Sequence, residues 1–452
     1  MKRVLLVSAN ITTEPYPVYP LGLAVIAAAL AGAGHEVEQF DFLASGESEE
    51  LLSARITAFA PDYVCVSIRN LDNCDSLSVT CYPENARRIV TAIRKGSSAP
   101  VIVGGPAFSI MPEELLAFTG ADFGIVGEGE RLVCDLIRDL SHGKTPPSLL
   151  RSERLLQGGE MGSPLYSDQM IPFYMEKSGM INLQTKRGCP HGCIYCSYPT
   201  LEGNRYRCRD PKEVVNDLER AKTEHGVESF FFTDSVFNDS DGHYLDVVEE
   251  IIHRGLSLRW CCYMRPEGVG RGEIALMKRA GLYAVELGTD AASDTTLRSL
   301  GKGFTFADAL EANRACVAER LPCAHFVMFG GPGETLETVA EGLRNLEQLE
   351  HTVVFAFSGI RIFPGTPLLA RAVRDGILRE GASLRDPVYY QSPGVDVQIM
   401  NEMIMEAFRN RRDRIFPPSE GQERLSIMHR FGYRGLLWDS LIKFPSPKRQ
   451  DK

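Results

Sequence analysis

The sequence predicts an α/β protein made of two successive runs of alternating strands and helices, closed by a short helical segment. Three observations carry this. Short apolar runs separated by helix-length stretches recur through roughly the first 145 residues, and the same alternation resumes near residue 181. Between them, a stretch from about 143 to 175 holds Pro146, Pro147, Gly158, Gly159, Gly162, Pro164 and Pro172 with no sustained periodicity, as a linker would. The resulting division is 1–145, a linker at 146–175, a second domain at 176–375 and a C-terminal segment at 376–452.

In the first run, the apolar residues 4–7 read as a strand, followed by a loop with Pro15, Pro17 and Pro20. Residues 21–34 are apolar and rich in Ala and Gly, but too few to span a bilayer, so they predict a buried helix. Further strands are expected at 35–40, 63–68, 101–105 and 122–127. Such alternation predicts a doubly wound, mostly parallel sheet with ligands beyond the strand C-termini. In the second run, strands are expected at 181–186, 229–233, 258–263, 284–287, 324–329 and 353–362, with helices such as 211–223 and 244–254. A helical, Arg-rich stretch at 397–414 follows, and the basic tail 448–452 is expected to be solvated and frayed.

A net charge of −10 argues against a general nucleic-acid binder, and nothing in the chain suggests a membrane span. Twelve cysteines with no signal peptide point to a reducing cytoplasm.

The densest chemistry is Cys189, Cys193 and Cys196, spaced C-x3-C-x2-C directly after an expected strand and inside a loop made flexible by Gly188, Pro190 and Gly192. A structural zinc site closes with four ligands, and an all-cysteine iron–sulfur site normally has four as well. Three cysteines leave one iron of a four-iron cluster without a protein ligand, and an open position implies chemistry. With Tyr195 just before the last cysteine, this motif resembles the signature of the radical S-adenosylmethionine (SAM) enzymes. The resemblance implies a 4Fe–4S cluster whose open iron binds SAM, reductive cleavage to a 5'-deoxyadenosyl radical, and Tyr195 near the adenine. It also implies an electron donor of flavodoxin or ferredoxin type, with or without a partner reductase.

On the same resemblance, the six strand–helix units look like the partial (β/α)6 barrel of that family, so function is expected at strand C-termini. Those ends carry Asp234, Tyr263, Arg265, Glu286, Asp290, Gly330, Gly331 and Arg361. Asp234 would approach the SAM amino group and Glu286 the ribose, with Asp290 and Arg361 close by. Gly330 and Gly331 would bring backbone to the adenine or methionyl part. Asp234, Tyr263, Arg265 and Glu286 are the candidate catalytic residues. Simpler readings stand beside these: Arg265 pairing with Asp234 or Glu286, Tyr263 in the core, and Glu334 capping the helix after the fifth strand. Cys261 and Cys262 are neighbours on one strand, so they face opposite sides and read as buried structural residues.

The first run resembles the Rossmann-like cobalamin-binding domain fused to many radical SAM enzymes. Ser67, Gly104 and Gly105 would let the cofactor's nucleotide tail slide between strand ends. No Asp-x-His-x-x-Gly motif is present, so Arg69 or Asn70, rather than a histidine, would sit on the lower face. Two expectations stand together: the domain binds cobalamin, or it is a scaffold that docks on the barrel without it. The Gly127-Glu128-Gly129-Glu130 phrase fits the same class.

For the reaction, the rim carboxylates suit a hydroxyl- and amine-bearing sugar. The leading expectation is therefore hydrogen abstraction followed by dehydration, resembling the radical SAM diol dehydratase of apramycin-type aminoglycoside biosynthesis. The alternative is a cobalamin-dependent radical C-methyltransferase acting on a natural product or lipid precursor.

Overall fold

The computed structural model describes residues 1–445, so the basic tail 448–452 lies outside the described residues. Six strands form one parallel sheet: β1 (Arg3–Ser8), β2 (Glu36–Asp41), β3 (Tyr63–Ser67), β4 (Val101–Gly104), β5 (Phe123–Val126) and β6 (Leu149–Arg151). Their order is β2-β1-β3-β4-β5-β6. The central strands read as unbroken apolar runs because both their faces are covered. Val4 and Leu6 pack with Leu23 and Leu30 on one side, whereas Leu5 and Val7 pack with Leu52, Ile56 and Ile89 on the other. The helix Leu21–Gly32 is one of these covering layers, and among the described residues no helix is long and apolar enough to cross a membrane.

β6 arises from the stretch expected to be a linker. Three residues flanked by prolines are too few for periodicity to register, yet they pair with β5 from Gly124 to Val126. The chain order reverses between β1 and β3, which opens a crevice at the ends of Ser8, Ser67 and Gly104.

The second domain begins with β7 (Ile181–Leu183) and a short antiparallel hairpin, β8 (Lys186–Arg187) with β9 (Arg207–Cys208). Then come β10 (Ser229–Phe232), β11 (Arg259–Met264), β12 (Leu282–Asp290), β13 (Cys323–Phe329) and β14 (Val353–Ser358). These pair in parallel and in chain order with β7, as a partial barrel. The helices between them start and stop on local signals. In Pro211–His225, Asp210 accepts from the Lys212 N–H, Pro211 takes the first turn and Gly226 closes the end at φ 67°.

Strand alternation sorts the side chains. Phe230, Phe232, Trp260 and Cys262 face the helices, while Phe231, Cys261, Ala284, Ala324 and Phe355 face inward. Tyr16, from the proline-containing loop after β1, and Trp438, from the C-terminal segment, pack against the inward set.

The expected run at 353–362 is two strands: β14 ends at Ser358, and β15 (Ile360–Arg361) pairs antiparallel with β16 (Tyr389–Tyr390). The Arg-rich helix ends at Phe408, and β17 (Arg414–Ile415) joins β14 as a seventh strand. Arg414 explains this departure. Its guanidinium is buried and donates to the carbonyls of Leu346, Leu349 and Thr352, closing a helix C-terminus rather than facing water.

Candidate active site

The three cysteines lie in the loop after β8. Its path needs glycine: at Gly188, φ is 86° and a Cβ would come within 2.1 Å of the Arg205 carbonyl oxygen. The Cys189 N–H donates to the Gly203 carbonyl (3.1 Å), and the Ile194 N–H to the Leu300 carbonyl (3.0 Å). Burial pushes the Cys189 thiol up and takes Cys196 to about 12, so cluster assembly must displace those protons. Arg265 and Lys302 lie on the same side and counter that rise. Among the described residues no group of three or more His, Cys, Asp or Glu converges on a single metal ion. The donor set thus fits a 4Fe–4S cluster with two cations beside it, which favour its reduced form.

Tyr195 donates its hydroxyl proton to Asp290 at 2.7 Å, and Lys302 is ion-paired with the same carboxylate. Asp290 sits at φ 62°, in the left-handed region, where a bulge shifts β12 against β13. Lys302, on a loop without a sequence signature, was not anticipated. The Tyr195–Asp290–Lys302 set nevertheless joins the cysteine loop to the C-terminal end of β12. Arg265 pairs with Glu267 at 2.6 Å, not with Asp234 or Glu286, and stacks over Phe304.

Several rim residues have other work. Asp234 is fully buried; it accepts from the Thr185 N–H (2.7 Å), the Thr185 hydroxyl (2.6 Å) and the Lys186 N–H (3.1 Å). It braces the β7–β8 turn, where it had been expected to approach SAM. Arg361 is engaged likewise: it is buried against Asp72 at 2.7 Å and donates to Ile362 and Leu384, fastening the first domain to the second. The N–H groups of Gly330 and Gly331 both go to Glu334, which burial pushes up to about 7, so they are not free to meet SAM.

The crevice of the first sheet faces this region. At Gly105, φ is 100° and a Cβ would meet the Ile68 carbonyl oxygen at 2.7 Å, so glycine is required where β4 ends. Ser67 and Gly104 end adjacent, in-register strands. Asn10 Nδ2, just past β1, and Asp75 Oδ2 are buried without partners, which suits a ligand rich in amide donors and acceptors. Arg69 is half-buried and acts electrostatically on Tyr174, Tyr198 and Tyr263, which places its guanidinium at the seam between the domains. These residues fit a cobalamin.

The Gly-Glu-Gly-Glu phrase clamps the domains. Glu128 accepts from Arg187 (3.1 Å) and Arg207 (2.7 Å), and Glu130 from Arg187 (2.6 Å), all largely buried. Arg187 lies two residues before Cys189, so the clamp fixes the cluster loop against the first domain.

Beyond the rim lies a lumen. Tyr263 is 41% exposed and Tyr198 39%, yet burial pushes both phenols up. Their open surface therefore faces internal space. Phe326, Met328 and Phe357 are half-buried on the neighbouring strands β13 and β14. Glu286 stands beside Tyr263 in register, 3% exposed, and burial alone pushes it to about 8. It lies four residues before Asp290, roughly 13 Å down the strand from the Tyr195–Asp290–Lys302 set.

Comparison with known proteins agrees. Residues 183–346 match the model of the radical SAM superfamily, and residues 7–137 that of the B12 binding domain. The tryptophan 2-C-methyltransferase of Streptomyces laurentii is 25% identical, over 77% of this chain and 71% of that protein. An uncharacterized methyltransferase of Pyrococcus horikoshii is 26% identical, over 81% and 80%. The structure of the radical SAM methyltransferase TsrM from Kitasatospora setae, with cobalamin and a [4Fe-4S] cluster bound, superposes with a TM-score of 0.85 at 25% identity, covering 97% of each chain. The dehydratase expectation is therefore overturned: these three relatives are methyltransferases. The rim carboxylates that motivated it are also largely engaged, Asp234 by the backbone and Asp290 by Lys302. The cofactors are a 4Fe–4S cluster, SAM and cobalamin, and the chain carries a B12 binding domain followed by a radical SAM domain.

Proposed function

We propose that the protein is a cobalamin-dependent radical SAM methyltransferase acting on a small molecule held in the barrel lumen. The observation that carries this reading is the convergence of three features on one internal space: the strand ends of the B12 binding domain, the three-cysteine loop and the Tyr263-lined lumen. Cobalamin would supply a transferable methyl group there, and the cluster with SAM the one-electron chemistry. The chain's own residues do the rest. Cys189, Cys193 and Cys196 would hold the cluster; Arg265 and Lys302 favour its reduced form. Tyr195, positioned by Asp290 and Lys302, would flank SAM. Ser67, Gly104, Gly105 and Asn10 would line the cobalamin slot, with Arg69 at its lower face in place of a histidine. Tyr263 and Glu286 would meet the acceptor. An electron donor of flavodoxin or ferredoxin type in a reducing cytoplasm would suit such a site, and all twelve cysteines are free.

Tryptophan is the first acceptor to try, since a relative at 25% identity is named for methylating it. Anaerobically reconstituted protein is incubated with SAM, reductant and tryptophan or related aromatic amines, with and without methylcobalamin. Methylated product with S-adenosylhomocysteine, only when cobalamin is present, supports the reading. Turnover that is independent of cobalamin overturns it.

A further inference from the structure

The inward side of the barrel carries one carboxylate that no side chain or backbone group of the described structure pairs with. Glu286 has neither hydrogen bond nor ion pair, and burial is the sole influence on its proton affinity. Its register neighbours are Tyr263 on β11 and Ala324 on β13. The titratable groups facing it are Tyr16, Tyr263 and Cys261, each driven further toward its neutral form. The nearest cation influencing Tyr263 is Arg69, at the crevice seam, and its effect on that phenol ranks below those of Glu286 and Tyr198. Around Glu286 the surface is aromatic: Tyr16 and Phe231 with ring centroids 6.3 Å apart, Phe231 and Tyr263 at 4.8 Å, and Phe326 and Phe357 at 6.5 Å.

An isolated carboxylate in such surroundings is unfavourable unless a full positive charge meets it, and ring faces also attract cations. Held as the neutral acid, the group offers an alcohol an ordinary hydrogen bond, whereas an ammonium also stabilises its ionised form and an anion would be repelled by that form. We propose that Glu286 selects the substrate of this enzyme by pairing with a protonated amine, on a molecule whose body is apolar or aromatic. This rests on the lumen being the acceptor site of the proposed methyl transfer. At neutral pH Glu286 holds its proton, and the amine arrives as ammonium. Forming the ion pair therefore sends the carboxyl proton to solvent, and no other bond changes.

The test is titration calorimetry on the cluster- and cobalamin-loaded protein with phenethylamine, phenethyl alcohol and hydrocinnamate, in two buffers of different ionisation enthalpy. The amine is expected to bind about tenfold or more tighter than the alcohol, with the acid weakest, and to release nearly one proton per molecule bound. Glu286→Gln should erase both the preference and the proton release, and Glu286→Asp should retain part of each. Equal binding of amine and alcohol, no binding of the amine, or a preference that survives Glu286→Gln overturns the proposal. If the Gln variant does not fold, the proton release of the unaltered protein and the Asp variant still decide. Methyl transfer without amine preference sinks this inference alone; amine preference without any methyl transfer sinks the methyltransferase reading alone.

Discussion

Glu286 also makes a stability prediction that needs no substrate. Burial raises its carboxyl from 4.5 to about 8 in the folded protein. Below about pH 4.5 both folded and unfolded chains hold the proton, and the group is neutral to stability. As pH rises toward 8, the unfolded chain releases its proton while the folded one keeps it, so stability falls across that window and levels off above it. The shift corresponds to about 5 kcal/mol in total. For a chain of 452 residues, with unfolding entropy of roughly 2 cal/mol/K per residue, this is about 5 °C in melting temperature. The perturbation is Glu286→Gln, and the assay is thermal unfolding of cluster-loaded protein at about pH 5 and about pH 9. Glu334, pushed to about 7, and Asp41, pushed to about 6, lose stability in the same direction. Both are present in each protein and cancel in the difference. Because the unfolded carboxyl is already mostly ionised at about pH 5, the variant should gain about 4 °C relative to the unaltered protein between the two pH values. A gap that does not change with pH refutes the claim that Glu286 is buried and unpartnered.

Four further outcomes follow from the geometry. Glu128→Ala leaves buried Arg207 without a carboxylate and Arg187 with Glu130 alone, so it should cost about 3–5 kcal/mol and lower the iron bound per chain, read by melting and iron assay. Gly105→Ala places a Cβ 2.7 Å from the Ile68 carbonyl at φ 100° and should lose about 1–3 kcal/mol along with cobalamin retention on gel filtration. Gly22→Ala, in a helix with nothing within 4 Å of the new methyl, should be neutral or gain about 0.5–1 kcal/mol. Lys302→Met leaves Asp290 unpaired beside Tyr195 and should weaken SAM binding in equilibrium dialysis about tenfold or more, while iron content stays unchanged.

The strands of both sheets were legible because burial on two faces writes them as apolar runs, and the cysteine loop because its spacing is tied to one donor set. β6 and β17 were not, since three- and two-residue strands leave no period and Arg414 reads as a surface residue until its carbonyl partners are seen. At the site, sequence placed Asp234, Arg361, Glu286 and Asp290 at strand ends but could not say which were already engaged. Asp234 and Arg361 are satisfied by backbone or by Asp72, whereas Glu286 is satisfied by nothing. That difference depends on contacts between residues dozens to hundreds of positions apart. Lys302 was missed for the same reason: only the fold brings it to Asp290 and Tyr195. Gly127-Glu128-Gly129-Glu130 was noticed, but its role as a clamp on the cluster loop needed Arg187 and Arg207 in place.

The most direct measurement follows a methyl group labelled with deuterium on SAM. Reconstituted protein with cobalamin and reductant is given an aromatic amine, and product and cobalamin are analysed by mass spectrometry. The account predicts that the intact labelled methyl group appears on the product, that omission of cobalamin abolishes it, and that Cys193→Ala does the same. A product formed at full rate without cobalamin, or one lacking the labelled methyl, contradicts it.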